Sequence, residues 1–208
     1  MKTAYIWDLD GTLLDSYAVI VESLYQTIKE TGMSLSRDAI HQHAISFSSS
    51  SLIEQVATQL KIDPESLYAR YSQLSREKYH LIRLMPNALE ILNALKERGA
   101  EHYVFTHRGR TTVPVLEHLN MDGYFREVLT SQSGFARKPS PDAIVYLIGK
   151  YGLSRDSAFY VGDRRLDMES AKNAGIPGIL YLPKDSRGAP SGAESYIVRD
   201  LMEILDIK

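Results

Sequence analysis

Two aspartates two positions apart, Asp8 and Asp10, close the short bulky run Tyr5-Ile6-Trp7 and are followed at once by Gly11. In a strand, residues two apart face the same side, so both carboxylates project together from the strand end or just beyond it. At ~4 Å and an effective dielectric near 20, two such charges repel by about 4 kcal/mol. The pair therefore needs a cation, a shared proton, or separation by the turn that Asp10-Gly11 supplies. A hard divalent metal is the economical answer. Taken alone, Asp10-Gly11 also reads as an ordinary tight turn.

A second acidic pair lies in Gly162-Asp163-Arg-Arg-Leu-Asp167, after another apolar run. With a helix beginning near Asp163, the two carboxylates at i and i+4 share one face. The plainer reading is a helix N-cap and a first-turn acid favoured by the helix dipole. Lys138 precedes Pro139-Ser140-Pro141-Asp142, where Ser140 is placed to cap a helix whose first residue is Pro141. A cation beside a helix N-terminus suits a phosphoryl group, although a solvated loop lysine is the common alternative. Thr106 ends the run Tyr103-Val104-Phe105, where its hydroxyl can donate to the same oxyanion or serve as a plain strand threonine.

The elements that must position these groups follow from the hydrophobic pattern. Tyr5–Trp7, His102–Thr106, Glu127–Thr130, Ala158–Val161 and Gly178–Leu182 read as short buried strands. Helical patterns alternate with them: Pro86 to Lys96, stopped by Gly99, then Thr111 to Leu119, Pro141 to Lys150, and Leu166 to Ala174, closed by Gly175. This rhythm predicts an α/β fold, a parallel sheet covered by helices on both faces. Between Ser16 and about Arg83 the pattern is helical only, with Val19 to Thr31 ending at Gly32, a capping box at Ser51-Leu-Ile-Glu54, and a helix started by Asp63-Pro64. The expected organisation is a core of 1–14 and 86–208 with a helical block, 15–85, inserted after the first strand. The acidic pairs, Thr106 and Lys138 then all fall at the C-terminal ends of strands, where open α/β sheets bind ligands.

Composition narrows the classes of function. The 208 residues are 44% hydrophobic and 24% charged, enough to bury a core. A net charge of -2 gives no general electrostatic reason to bind nucleic acid or an anionic membrane. With no cysteine there is no disulfide, thiolate metal site or thiol nucleophile, and a reducing cytoplasm is the simplest expected home. The apolar run at the N-terminus is short and broken by Asp8 and Asp10, and no stretch approaches the ~20 apolar residues of a membrane span.

In this order and spacing, Asp8-Leu-Asp10-Gly-Thr12-Leu, Thr106, Lys138 and Gly162-Asp163-Arg-Arg-Leu-Asp167 resemble the haloacid dehalogenase superfamily, which is mostly phosphatases. The resemblance implies a three-layer Rossmann-like core with a small helical cap, and a phosphoglycolate phosphatase-like activity on a small phosphorylated metabolite. It implies that Asp8 is the nucleophile and forms an aspartyl-phosphate, while Asp10 protonates the leaving alcohol and then activates water. It further implies that Mg2+ is held by Asp8, the backbone carbonyl of Asp10 and Asp163, with Asp167 in support, and that Thr106 and Lys138 bind the phosphoryl oxygens.

The chain departs from the commonest family pattern at His107 and Arg108, where small or neutral polar residues usually follow the threonine. Both are candidates for binding a substrate anion; a neutral structural histidine and a solvated arginine are the plainer readings. Arg164 and Arg165 are expected at an exposed helix start, with a cap contact as the sharper reading. Dehalogenation is disfavoured because the dehalogenases of this superfamily lack the second aspartate, present here as Asp10. The best-known phosphosugar mutases carry a histidine twelve residues after the nucleophile, where this chain has Ile20. A phospho-accepting receiver-like module is the rival from another class, but such modules are about half this length and lack a helical insertion.

Overall fold

A computed structural model describes residues 2–207. In chain order the elements are β1 (Ala4–Trp7), β2 (Leu14–Asp15), α1 (Tyr17–Glu30), α2 (Arg37–Ser46), α3 (Ser49–Leu60), α4 (Pro64–Lys78), β3 (Arg83–Leu84) and α5 (Ala88–Glu97). They continue with β4 (Glu101–Phe105), α6 (Thr112–His118), β5 (Val128–Leu129), α7 (Asp142–Tyr151), β6 (Ala158–Gly162), α8 (Arg165–Ala174), β7 (Gly178–Tyr181) and β8 (Tyr196–Val198). Short 3-10 turns fill several of the connections. No helix among the described residues is long and apolar enough to cross a membrane.

The chain divides into two compact units, 1–15 with 83–208, and 16–82. The first is an α/β, Rossmann-like unit built on a six-stranded sheet of order β5-β4-β1-β6-β7-β8, every pairing parallel. Strands β1 and β6 are buried along their whole length, as near-continuous apolar runs in a parallel sheet must be when helices cover both faces. Their side chains join Ile144 and Leu147 of α7 and Met168 and Ala171 of α8 in one apolar core. The order lays β4 and β5 to one side of β1 and β6 to β8 to the other, so the strand order switches at β1, and it is outside the C-termini at such a switch that open α/β sheets form a crevice.

The other unit is the helical one. Its helices α1 to α4 bury Ile20, Leu24 and Ile28 against Ile40, Ile53, Val56 and Leu67, the i, i+4, i+8 stripe of an amphipathic α1. It leaves and rejoins the α/β unit through the short antiparallel pair β2–β3, with Leu14 opposite Leu84.

Several local expectations are corrected. The α3 cap is Ser48, whose Oγ accepts from the Ser51 N–H at 3.0 Å, so the helix starts before the expected box, and Ser51 Oγ instead lies 2.7 Å from His43 Nε2. In a run of serines any one can cap, and the extended backbone at Ser48 decides. Helix α7 begins at Asp142 with Pro141 as its cap residue, and Ser140 Oγ accepts from the Asp142 N–H at 3.3 Å. Helix α8 begins after Asp163, with Arg164 as its cap, so Asp163 and Asp167 are not an i, i+4 pair on one helix. The small β2–β3 pair and the edge strand β8 carry too few residues to show a period.

Candidate active site

Asp8 stands directly after β1, Thr106 after β4 and Asp163 after β6. The chain coils immediately beyond Asp8. The Leu9 carbonyl accepts from the N–H groups of Thr12, Leu13 and Leu14 at 3.1, 3.0 and 2.9 Å. Gly11 sits at φ 83°, a left-handed conformation that favours glycine. This coil separates the first acidic pair. Asp8 is buried, whereas Asp10 is half-buried and its Oδ1 accepts from Arg108 Nε at 3.0 Å and Nη2 at 2.5 Å.

Asp8, Asp163 and Asp167 are brought together, each offering a carboxylate oxygen within 4.8 Å of the others, and all three are buried. The Asp10 side chain is not in this group. Thr12 Oγ1 donates to Asp163 Oδ1 at 3.4 Å. Asp167 is tied to Arg164 by two bonds: its Oδ2 accepts from the Arg164 N–H and its own N–H donates to the Arg164 carbonyl, each at 3.0 Å. The close approach is made by Gly162, where a Cβ would fall 2.4 Å from Asp167 Cβ and Cγ.

Lys138 is buried at the centre of this arrangement. Its Nζ donates to Asp167 Oδ1 at 2.7 Å and lies 2.9 Å from Asp8 Oδ1. The second contact is one of charge alone, since neither Asp8 oxygen accepts an aligned hydrogen bond. The ammonium also sits 5.1 Å from the Phe105 ring and 5.2 Å from the Tyr160 ring, a cation–π setting. Burial raises the Asp8 pKa from its ordinary value, opposed by Lys138 and reinforced by the like charge of Asp167.

Thr106 is buried, and its Oγ1 accepts from the Arg108 N–H at 3.1 Å, which leaves its own hydrogen free of that bond. His107 Nε2 accepts from the Lys138 backbone N–H at 2.8 Å, so its proton resides on Nδ1. Desolvation, then the positive charge of Lys138, drives its pKa far down and keeps the ring neutral. Arg108 engages Asp10 and also donates from Nη1 to Thr111 Oγ1 at 2.9 Å. Arg164 is not exposed as expected: it is buried, its Nη2 3.6 Å from Asp8 Oδ2. The sequence offered no signal for it beyond its place between two acidic residues. Arg165 behaves as expected, exposed and paired with Glu169 one turn on.

Compared with known families, residues 5–181 match the family of haloacid dehalogenase-like hydrolases. The chain belongs to that family. Among curated relatives of this hydrolase, a phosphoglycolate phosphatase from Mannheimia succiniciproducens is 30% identical over 97% of this chain and 96% of its own. One from Agrobacterium fabrum is 31% identical over 84% and 78%. Among solved structures, one from Haemophilus somnus, described as a predicted phosphoglycolate phosphatase, shares 25% identity over 99% of this chain and 97% of its own, with a TM-score of 0.86. A hydrolase from Streptococcus pneumoniae shares 31% identity over the full length of both chains, with a TM-score of 0.65.

The donor set suits a hard divalent cation. Asp8, Asp163 and Asp167 present only carboxylate oxygens, buried and mutually close, and both Asp8 oxygens lack an aligned hydrogen bond. Oxygen-rich ligation of this kind fits Mg2+ rather than a metal that prefers nitrogen or sulfur.

Proposed function

We propose that this hydrolase of phosphoric monoesters is a magnesium-dependent phosphatase for a small, phosphoglycolate-like or sugar-phosphate substrate, working through an aspartyl-phosphate on Asp8. The observation that carries the reading is the convergence of Asp8, Lys138, Asp163 and Asp167 at the crevice beside β1. A magnesium ion bound by Asp8, Asp163 and Asp167 would supply positive charge to the phosphoryl oxygens.

Asp8 attacks phosphorus as a carboxylate, and the Lys138 ammonium 2.9 Å away favours that ionised form against the effect of burial. The oxygens of the transferring group receive hydrogen bonds from Thr106 and Lys138, fixed donors in a site largely closed to water. Asp10 donates a proton to the leaving oxygen and later takes one from water, with its carboxylate orientation set by Arg108. Arg108 would also meet a second anionic group of the substrate. Neutral His107, with Nε2 accepting from the Lys138 N–H and Nδ1 buried, holds the Lys138 backbone instead of binding an anion as the sequence suggested. The 16–82 unit selects among substrates. The cysteine-free composition suits a reducing cytoplasm.

A screen of phosphorylated metabolites and an aryl phosphate, with Mg2+ and with chelator, tests this reading. Sustained, metal-dependent phosphate release is expected. A single stoichiometric phosphorylation without turnover would instead identify a receiver-like module, and interconversion of sugar phosphates a mutase.

A further inference from the structure

The guanidinium of Arg164 faces the same three carboxylates that suit a metal. Its Nη2 is 3.6 Å from Asp8 Oδ2, and its Nε is 4.0 Å from both Asp163 Oδ1 and Asp167 Oδ2. These separations exceed the 2.7–2.9 Å of a charge-assisted hydrogen bond. At these separations Arg164 acts on the three carboxylates through its charge, while Lys138 is hydrogen-bonded to Asp167 at 2.7 Å.

We infer that Arg164 is an internal counter-ion that competes with the divalent cation for Asp8, Asp163 and Asp167, and thereby sets the metal affinity of the site. The inference rests on the reading of these three aspartates as metal ligands. A guanidinium cannot shed its proton at any accessible pH, so repulsion from an arriving dication is relieved only by moving the side chain. Its backbone is anchored: the Arg164 N–H and carbonyl are both bonded to Asp167. The motion is therefore confined to the side-chain torsions, and Asp167 stays in place while the guanidinium withdraws. A residue that neutralises buried carboxylates before metal arrives keeps three like charges from destabilising the folded chain. The same residue makes metal binding weaker than the carboxylates alone would allow.

The test is titration of the full chain with Mn2+, read by electron paramagnetic resonance, for the parent, Arg164→Gln and Arg164→Lys. Arg164→Gln should bind Mn2+ at least tenfold more tightly, about 1.4 kcal/mol, and melt at a lower temperature than the parent in chelator. Arg164→Lys, which keeps the charge, should stay within about threefold of the parent, on the same argument that charge rather than shape competes. Should Arg164→Gln not fold without metal, purification in Mn2+ followed by competition with a calibrated chelator gives the same affinity. Equal or weaker Mn2+ binding by Arg164→Gln overturns the inference, as does absence of Mn2+ binding by parent and variants alike. Unchanged metal affinity with weakened binding of inorganic phosphate would overturn it too, making Arg164 a phosphoryl ligand. Aryl phosphate turnover of the parent, measured separately, decides the phosphatase reading: a parent without turnover whose Mn2+ affinity still responds to Arg164→Gln sinks that reading and leaves this one standing.

Discussion

The Trp7 indole N–H donates to His102 Nδ1 at 3.1 Å, tying β1 to β4 beneath the crevice. The other ring nitrogen, Nε2, then carries the proton and donates to the Leu92 carbonyl of α5 at 3.1 Å. Burial lowers the His102 pKa to about 4. A neutral folded-state histidine contributes stability that is fully present above about pH 6.5 and is lost as pH falls from there through about 4. The full linkage is worth roughly 3 kcal/mol at most. Replacing His102 by Leu should therefore destabilise the protein at pH 7.5, by roughly 1–3 kcal/mol for the unpaired indole and carbonyl. The gap between parent and variant should shrink on acidification to pH 4. Urea melts across that range would show it, and a gap that stays constant would reject the neutral tautomer.

Asp8→Asn should lower turnover at least ~100-fold, because an amide cannot replace the attacking carboxylate. Its effect on stability has the opposite sign. Since burial raises the Asp8 pKa, ionised Asp8 is less favourable in the folded than in the unfolded chain, and neutralising it near pH 7 removes that penalty. Calorimetry in chelator should find a melting temperature equal to or above the parent's. A clear decrease would mean that the Lys138 contact outweighs burial.

Lys138→Met should lose stability as well as activity. Removing the ammonium leaves Asp8 and Asp167 buried without their shared cation, a change that costs about 3–5 kcal/mol when a buried pair is broken. Denaturant melts of Lys138→Met and the double variant Lys138→Met/Asp8→Asn make the coupling explicit: the second change should restore part of what the first removed.

Gly162→Ala adds one methyl where Asp167 already stands, with 2.4 Å between the new Cβ and the Asp167 Cβ. Either α8 or the Asp167 side chain must shift. A loss of about 1–3 kcal/mol is expected from overpacking, together with weaker Mn2+ binding. An unperturbed variant would show that the β6–α8 junction yields more easily than its packing suggests.

Arg108→Met should reduce kcat on every substrate, about tenfold or more, because the orientation of Asp10 is no longer fixed. Substrates with a second anionic group should suffer an additional rise in KM. Steady-state kinetics on an aryl phosphate and on phosphoglycolate separate the two effects; a change in KM alone would assign Arg108 to binding without a role in setting Asp10.

The alternation of apolar runs and helical periods made the α/β core legible in the sequence because each strand is short, buried and bounded by turn residues. The candidate site residues Asp8, Thr106 and Asp163 stood out through their position after those runs. What stayed hidden depended on side-chain direction. The turn after Asp8 sends Asp10 to Arg108 instead of to Asp163, and no spacing rule foresees that a coil of hydrogen bonds on the Leu9 carbonyl will do so. Arg164 looked like a surface residue because arginine at a helix start usually is; spacing alone does not show that its guanidinium turns toward Asp8, Asp163 and Asp167. Likewise, the bond from the Lys138 backbone to His107 joins residues far apart in sequence, and a lone histidine carries no periodic signal.

The β2–β3 pair brings the two ends of the insertion side by side, Leu14 against Leu84, with the Met85 N–H donating to the Leu13 carbonyl at 2.9 Å. To the sheet, everything from 16 to 82 is thus a loop whose ends are already closed. The entropy of closing a loop grows only with the logarithm of its length, so lengthening, shortening or replacing this cassette changes little in the thermodynamics of the strands it interrupts. Evolution can therefore trade one cassette for another at this seam while the carboxylates beside β1 keep their places.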